Sequence, residues 1–156
     1  MENGRTSPKT VFPSFLYDSS IYAREGATYL VLDFETHFHD PGGTPLAIDP
    51  QNGMVLAVWR VCRDDKILAE RAVFADEYGM GLLLSDISRV DFWVAHNSKF
   101  EAGWLKRLGL DLRKTLGYCT MLGAYVLDGN EKSDRSLNGL AAKYKLGTKL
   151  DVVSQM

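Results

Sequence analysis

The sequence predicts an α/β domain, a mixed sheet led by an antiparallel hairpin and layered with helices. Two observations predict it. Short apolar runs rich in β-branched residues recur at 28–34, 54–62, 66–74 and 91–97, each of strand length. At 75–87, 98–110, 118–128 and 136–146 the apolar residues instead take helical spacing. The order is therefore three strands, a helix, a strand, a helix and two further helices. No internal repeat, low-complexity tract or second-domain linker interrupts it.

Residues 1–27 carry Pro8, Pro13, Gly4, Gly26 and several Ser and Thr without a sustained period, and read as an irregular lead-in. Within it "FPSFLY" at 12–17 is a candidate anchor. "TYLVLDF" at 28–34 is a central strand. "HDPGGTPLAIDPQNG" at 39–53 is dense in turn residues and reads as a loop. "MVLAVWRVC" and "KILAERAVF" flank the "RDD" turn at 63–65 as a hairpin. The helix at 75–87 opens on acidic residues, which suit the positive end of its dipole. "DFWVAHN" at 91–97 is a short strand ending on polar groups. The helix that follows carries its stripe on residues 100, 104, 105 and 108, with Ser98 as its expected cap. "YCTMLGAYVLD" and "SLNGLAAKYKL" are two more helices, split by "GNEKSDR".

A chain of 156 residues is one domain's worth, able to bury roughly two-thirds of its unfolded surface. A net charge of −2 excludes a broadly basic nucleic-acid-coating protein. It does not exclude a nuclease, which can meet phosphate through bound cations. Cys62 and Cys119 form no CxxC pair and read as free thiols in a reducing compartment. No apolar run approaches the roughly 18–20 residues of a membrane span, and the N-terminus lacks the core of a secretory signal. The chain thus reads as intracellular, with no membrane partner.

Two strands end on the same chemical theme. Asp33 and Glu35 share a face of the first strand, because side chains alternate. The strand at 91–97 ends at His96-Asn97 and feeds a helix carrying Glu101 in its first turn. If the strands are neighbours, three carboxylates converge at one end of the sheet. Such a cluster repels itself unless cations or protons neutralise it. Hard oxygen ligands without an accompanying Cys or His pair favour Mg²⁺ or Mn²⁺. Other polar groups weigh less. His37, His39 and Asp40 read as exposed loop residues and His96 as a strand-end residue holding the site. Lys99, Lys106 and Arg107 read as a solvated helix face. Trp59, Trp93 and Trp104 are spaced as core residues.

With "LDFET" at the end of one strand and "AHNSKFEAGWL" across the next, the chain resembles the DEDD, or DnaQ-like, superfamily of 3′–5′ exonucleases. "CTMLGAYVLD…SLNGLAAKYKLG" is similar to the helical stretch of proofreading domains in phage family A DNA polymerases. The resemblance runs from about residue 28 to the C-terminus. It implies a ribonuclease H-like three-layer fold over 28–156, its mixed sheet led by a three-strand antiparallel meander and flanked by helices. It implies Asp33, Glu35 and Glu101 as catalytic metal ligands, and Thr36, Asn97, Phe100 and Phe34 on the substrate side. Phe34 and Phe100 are the candidates for stacking on an unpaired terminal base. The chemistry implied is two-metal hydrolysis, one Mg²⁺ or Mn²⁺ activating water and a second, roughly 3.5–4 Å away, stabilising the leaving 3′ oxygen.

The chain departs from the family's pattern twice. Glu101 stands where the second motif usually has Asp. The third motif, a Tyr or His followed four or five residues later by Asp, is missing before Met156, and Asp151 has no Tyr or His at the required offset. The chain accordingly reads as C-terminally incomplete and, alone, as a crippled or inactive enzyme. Its expected substrate is a single-stranded or frayed DNA 3′ end, its expected partner a polymerase domain in the same or a split protein, and its expected setting the cytoplasm of a bacterial or phage-infected cell. A free-standing exoribonuclease, or a non-catalytic nucleic-acid- or protein-binding module of the same fold, are the alternatives.

Overall fold

The computed structural model describes residues 19–37, 39, 46–129 and 133–147. After a 3₁₀ turn at Ser19–Ala23 come β1 (Thr28–His37), β2 (Gly53–Arg63), β3 (Lys66–Phe74), α1 (Glu77–Ile87), β4 (Phe92–Ala95), α2 (Lys99–Arg107), β5 (Leu116–Cys119), α3 (Thr120–Asp128) and α4 (Leu137–Lys143). The strands form one sheet in the order β3-β2-β1-β4-β5. β1, β2 and β3 are an antiparallel meander, while β4 runs parallel to β1 and β5 parallel to β4.

β1 is central, and its alternation decides what each face carries. Leu30, Leu32 and Phe34 are buried, whereas Val31, Asp33 and Glu35 are exposed on the opposite face. The buried set meets Ala57 and Trp59 of β2, Trp93 and Ala95 of β4, Met80, Leu83 and Ile87 of α1, and Trp104 and Leu105 of α2. On the other face, Thr120 of α3 and Leu137 of α4 line a cavity with Val31, Asp33, Val58, Val94 and His96. Helices thus flank both faces, giving the expected three-layer α/β architecture, compatible with a ribonuclease H-like arrangement. All three tryptophans lie in the core, as their spacing predicts.

Polar contacts pin the layers together. The Trp59 Nε1–H donates to Asp86 Oδ2 at 2.9 Å, and Arg71 Nε donates to the same oxygen at 3.0 Å, tying the sheet to α1. Arg107, read from the sequence as solvated, donates instead to the carbonyls of Ala47, Asp49, Pro50 and Asn52. One guanidinium at the end of α2 thereby holds the 46–52 loop. Tyr22 packs edge-on against Phe92 at 4.9 Å and donates to the Gly117 carbonyl at 3.0 Å, docking the described part of the lead-in. The candidate anchor at 12–17 lies outside the described residues.

Four expectations change. β1 continues to His37, because its pairing with β2 carries on past a bulge between Glu35 and Thr36. The acidic pair therefore lies within the strand, not at its end. The strand expected at 91–97 is the four residues of β4. The segment 118–128, expected as one helix, opens with the end of β5, and the helix starts only at Thr120. Pairing with β4 overrides local spacing there. Gly117 permits it: a Cβ at that position would stand 2.5 Å from the Trp93 ring. Finally, Ser98 has helical dihedrals and makes no side-chain cap.

Asp86→Ala is expected to destabilise the chain by about 2–3 kcal/mol, since it strands a buried indole N–H and the Arg71 guanidinium together. Asp86→Asn, which retains an acceptor, is expected to lose less. Urea unfolding at neutral pH reads both.

Candidate functional site

β1 and β4 run parallel, so their C-terminal ends meet at one edge of the molecule. From β4 the chain turns into α2 through Asn97, whose φ of +58° lies in the left-handed region that Asn tolerates better than most residues. That turn puts Glu101 in the first turn of α2 and sends its side chain inward, leaving the residue 3% exposed. Its Oε2 is buried with no hydrogen-bond partner. Burial pushes the carboxyl up to about 7, the charge of Asp33 adds to the rise, and the residue's own backbone N–H opposes it. A protonated or cation-bound carboxyl is what such a setting favours.

Asp33 stands on the open face of β1, lining a cavity of about 220 Å³ with Val31, Val58, Val94, His96 and Thr120 among its walls. His96 Nδ1 is 2.9 Å from Thr120 Oγ1, which holds the ring between β4 and α3. Glu35 lies two residues further along the same face and is exposed, and Thr36 is half-buried. Asn97 is exposed and lines a second cavity with Ser98 and Lys99. Phe100 is half-buried, its ring 6.4 Å from that of Trp104.

Among the described residues no set of three His, Cys, Asp and Glu side chains is gathered to hold a metal ion. Asp33 and Glu35 face away from Leu32 and Phe34, while α2 packs on the Leu32 and Phe34 side. Asp33 and Glu101 feel one another across the end of the sheet. Two carboxylates, one with an unsatisfied buried oxygen, fit one hard divalent cation. Phe34 is 5% exposed and packs in the core cluster. The His37, His39 and Asp40 reading falls partly outside the described residues. The His39 N–H is held by Asn52 Oδ1 at 3.0 Å.

Two features escaped the sequence reading. One is the carbonyl cluster gathered by Arg107, for which a basic residue at a helix end gives no distinguishing signal. The other is Cys119, whose Sγ caps α3 by accepting the Leu122 N–H and also accepts the Ser98 N–H. Its position just ahead of the apolar helical run was the available signal.

No family model and no curated protein matches the sequence. Among solved structures, the chain is similar to the family B DNA polymerase from the hyperthermophilic archaeon Pyrobaculum calidifontis, at a TM-score of 0.54 and 15% sequence identity. The match covers 78% of this chain and 19% of the polymerase. The likeness is one of fold. Among the described residues no helix is long and apolar enough to cross a membrane.

The Glu101 carboxyl predicts a pH signature. Its folded value of about 7 lies above the ordinary 4.5, so its contribution to stability is fully present below about pH 4.5 and is lost as pH rises through about 7. Glu101→Gln is neutral throughout and escapes that loss. In the presence of a chelator, the stability of the variant relative to the parent chain is expected to rise by up to about 3 kcal/mol between about pH 5 and pH 8. Urea unfolding across that range is the measurement, and a flat difference would remove Glu101 as the strained group.

Proposed function

We propose that the chain is a 3′–5′ exonuclease-type domain, of the DEDD superfamily its motifs resemble, acting on single-stranded or frayed DNA 3′ ends. The observation that carries this reading is the Glu101 carboxyl, buried with an orphaned oxygen and raised toward neutrality beside Asp33. The helix start offsets only part of the cost of burying that acid, and a bound cation would offset the rest. Asp33 and Glu101 would hold one Mg²⁺ or Mn²⁺, and Glu35 lies on the same strand face for a second, looser contact. A cation held there would supply the water activation and charge neutralisation that phosphodiester hydrolysis needs. Holding it would require the Glu101 carboxyl to be deprotonated. Thr36 and Asn97 flank the carboxylates and are assigned to the terminal nucleotide, with Phe100 as the remaining aromatic for its base. The domain would run from residue 28 onward, as part or partner of a DNA polymerase.

The absence of an assembled three-carboxylate set among the described residues favours a second reading. In it the chain is a nucleic-acid- or protein-binding module that keeps the fold and one weak cation site.

Mn²⁺ titration by calorimetry, with a 5′-labelled oligonucleotide assay, separates the two. The enzyme reading expects Mn²⁺-dependent shortening from the 3′ end, slow for this chain, reduced about 100-fold or more by Asp33→Asn, with cation binding weakened in parallel. Cation binding indifferent to Asp33→Asn, with no shortening of DNA, would establish the module. Preferential shortening of RNA would make the chain an exoribonuclease.

A further inference from the structure

The clamp formed by Arg107 reaches beyond the loop it holds. α2 carries Glu101 in its first turn and Arg107 as its last residue, about 9 Å apart along the helix axis. The guanidinium donates to the Asn52 carbonyl at 2.9 Å and the Asp49 carbonyl at 3.1 Å, and its central carbon lies 5.2 Å from the centroid of the Trp104 ring. Asn52 is polar and follows a turn, yet it is 3% exposed. Its side chain donates to the Leu46 carbonyl at 3.1 Å and accepts the His39 N–H at 3.0 Å. The next residue, Gly53, pairs with His37, and Met54 pairs with Thr36. A Cβ at Gly53 would collide with the His37 ring, so this close approach needs glycine. α2 is thereby joined, through Asn52, to the stretch of β1 beyond its bulge.

We infer that Arg107 is a positioning residue for the carboxylate site: through Asn52 it fixes the end of β1, with Glu35 and Thr36, against the helix that carries Glu101. The role rests on the reading of Asp33 and Glu101 as cation ligands. Two physical points carry it. The ladder between β1 and β2 shifts register between Glu35 and Thr36, so the last residues of β1 take little of their placement from the regular pairing before it. Asn52 supplies the outside hold, and Arg107 keeps Asn52 in place. Loop carbonyls that no strand pairs with also need donors. A planar guanidinium serves several of them in one fixed fan, which an ammonium on a flexible stem does not reproduce. Geometry, and not charge, is therefore what the site draws from this residue.

The test compares Arg107→Lys and Arg107→Met with the parent chain by amide hydrogen exchange and Mn²⁺ titration calorimetry, with urea unfolding to confirm that each is folded. Both variants are expected to exchange the His39 amide about tenfold faster and to bind Mn²⁺ about tenfold more weakly. Loss of a positive charge would by itself tighten cation binding, so weaker binding by Arg107→Met reads placement. Arg107→Lys, which keeps the charge at an exposed position, carries the test if Arg107→Met unfolds. Asn52→Ala cuts the same path in its middle and is expected to weaken Mn²⁺ to a similar degree, with little further loss when combined with Arg107→Lys. Parent-like Mn²⁺ affinity in Arg107→Lys, tighter binding by Arg107→Met, or a His39 amide indifferent to both would overturn the positioning role alone. A parent chain that binds no Mn²⁺, or binds it independently of Asp33, would overturn the cation reading and this role with it.

Discussion

The carboxylate of Asp91 sets the register on which the rest of the molecule depends. It accepts the Thr28 N–H at 2.7 Å, the Thr28 hydroxyl at 3.0 Å and the Arg24 guanidinium at 2.6 Å. The Asp91 N–H returns a bond of 2.9 Å to the Thr28 carbonyl. This knot sits where β1 and β4 begin, one step before Tyr29 pairs with Phe92. A parallel pair only three partners long has little of its own to resist a slip, and a slip of one residue would exchange the two faces of the strand. Everything at the far end follows from that alignment: Asp33 on the open face, His96 against Thr120, and α2 entering where Glu101 feels the charge of Asp33.

The two carboxyls at opposite ends of this strand pair pull in opposite directions. The Thr28 N–H, aided by the Arg24 guanidinium and the Thr28 hydroxyl, holds Asp91 below the usual carboxylate range, so its contribution is kept above its unfolded value and lost on acidification. Glu101 behaves in reverse, being more at ease protonated. One end of the sheet is built to be charged, and at the other burial favours the neutral carboxyl.

The meander was legible because it rests on local signals. Alternation in 28–34, two β-rich runs and the Asp64-Asp65 turn, with Asp64 at a φ of +50°, account for three strands. The buried face of β1 was equally readable: Phe34 shares the period-two set of Leu30 and Leu32, and a reading faithful to that period places it in the core. β5 was not legible, because a four-residue strand containing a glycine is made by its neighbour β4 and by the space that Gly117 leaves for Trp93. For the site, the sequence marked Asp33, Glu35 and Glu101 by type and spacing. It did not carry their depth, since the burial of Glu101 is a product of how α2 packs. Asp151, and with it the question of a third motif, lies outside the described residues.

The position of β3 at one end of the strand order has a consequence for how the molecule behaves in company. Among the described residues nothing pairs with its outer side, so a row of backbone donors and acceptors is left open to another chain. Ile67, Leu68 and Phe74 are exposed along it, which adds stickiness to the template. Lys66 and Glu70 interrupt that row with charge, and the Arg60–Glu70 ion pair keeps one of them committed to the neighbouring strand. The charges on this strand act as gatekeepers against edge-to-edge polymerisation, and neutralising them would favour aggregation of a chain whose own fold remained intact.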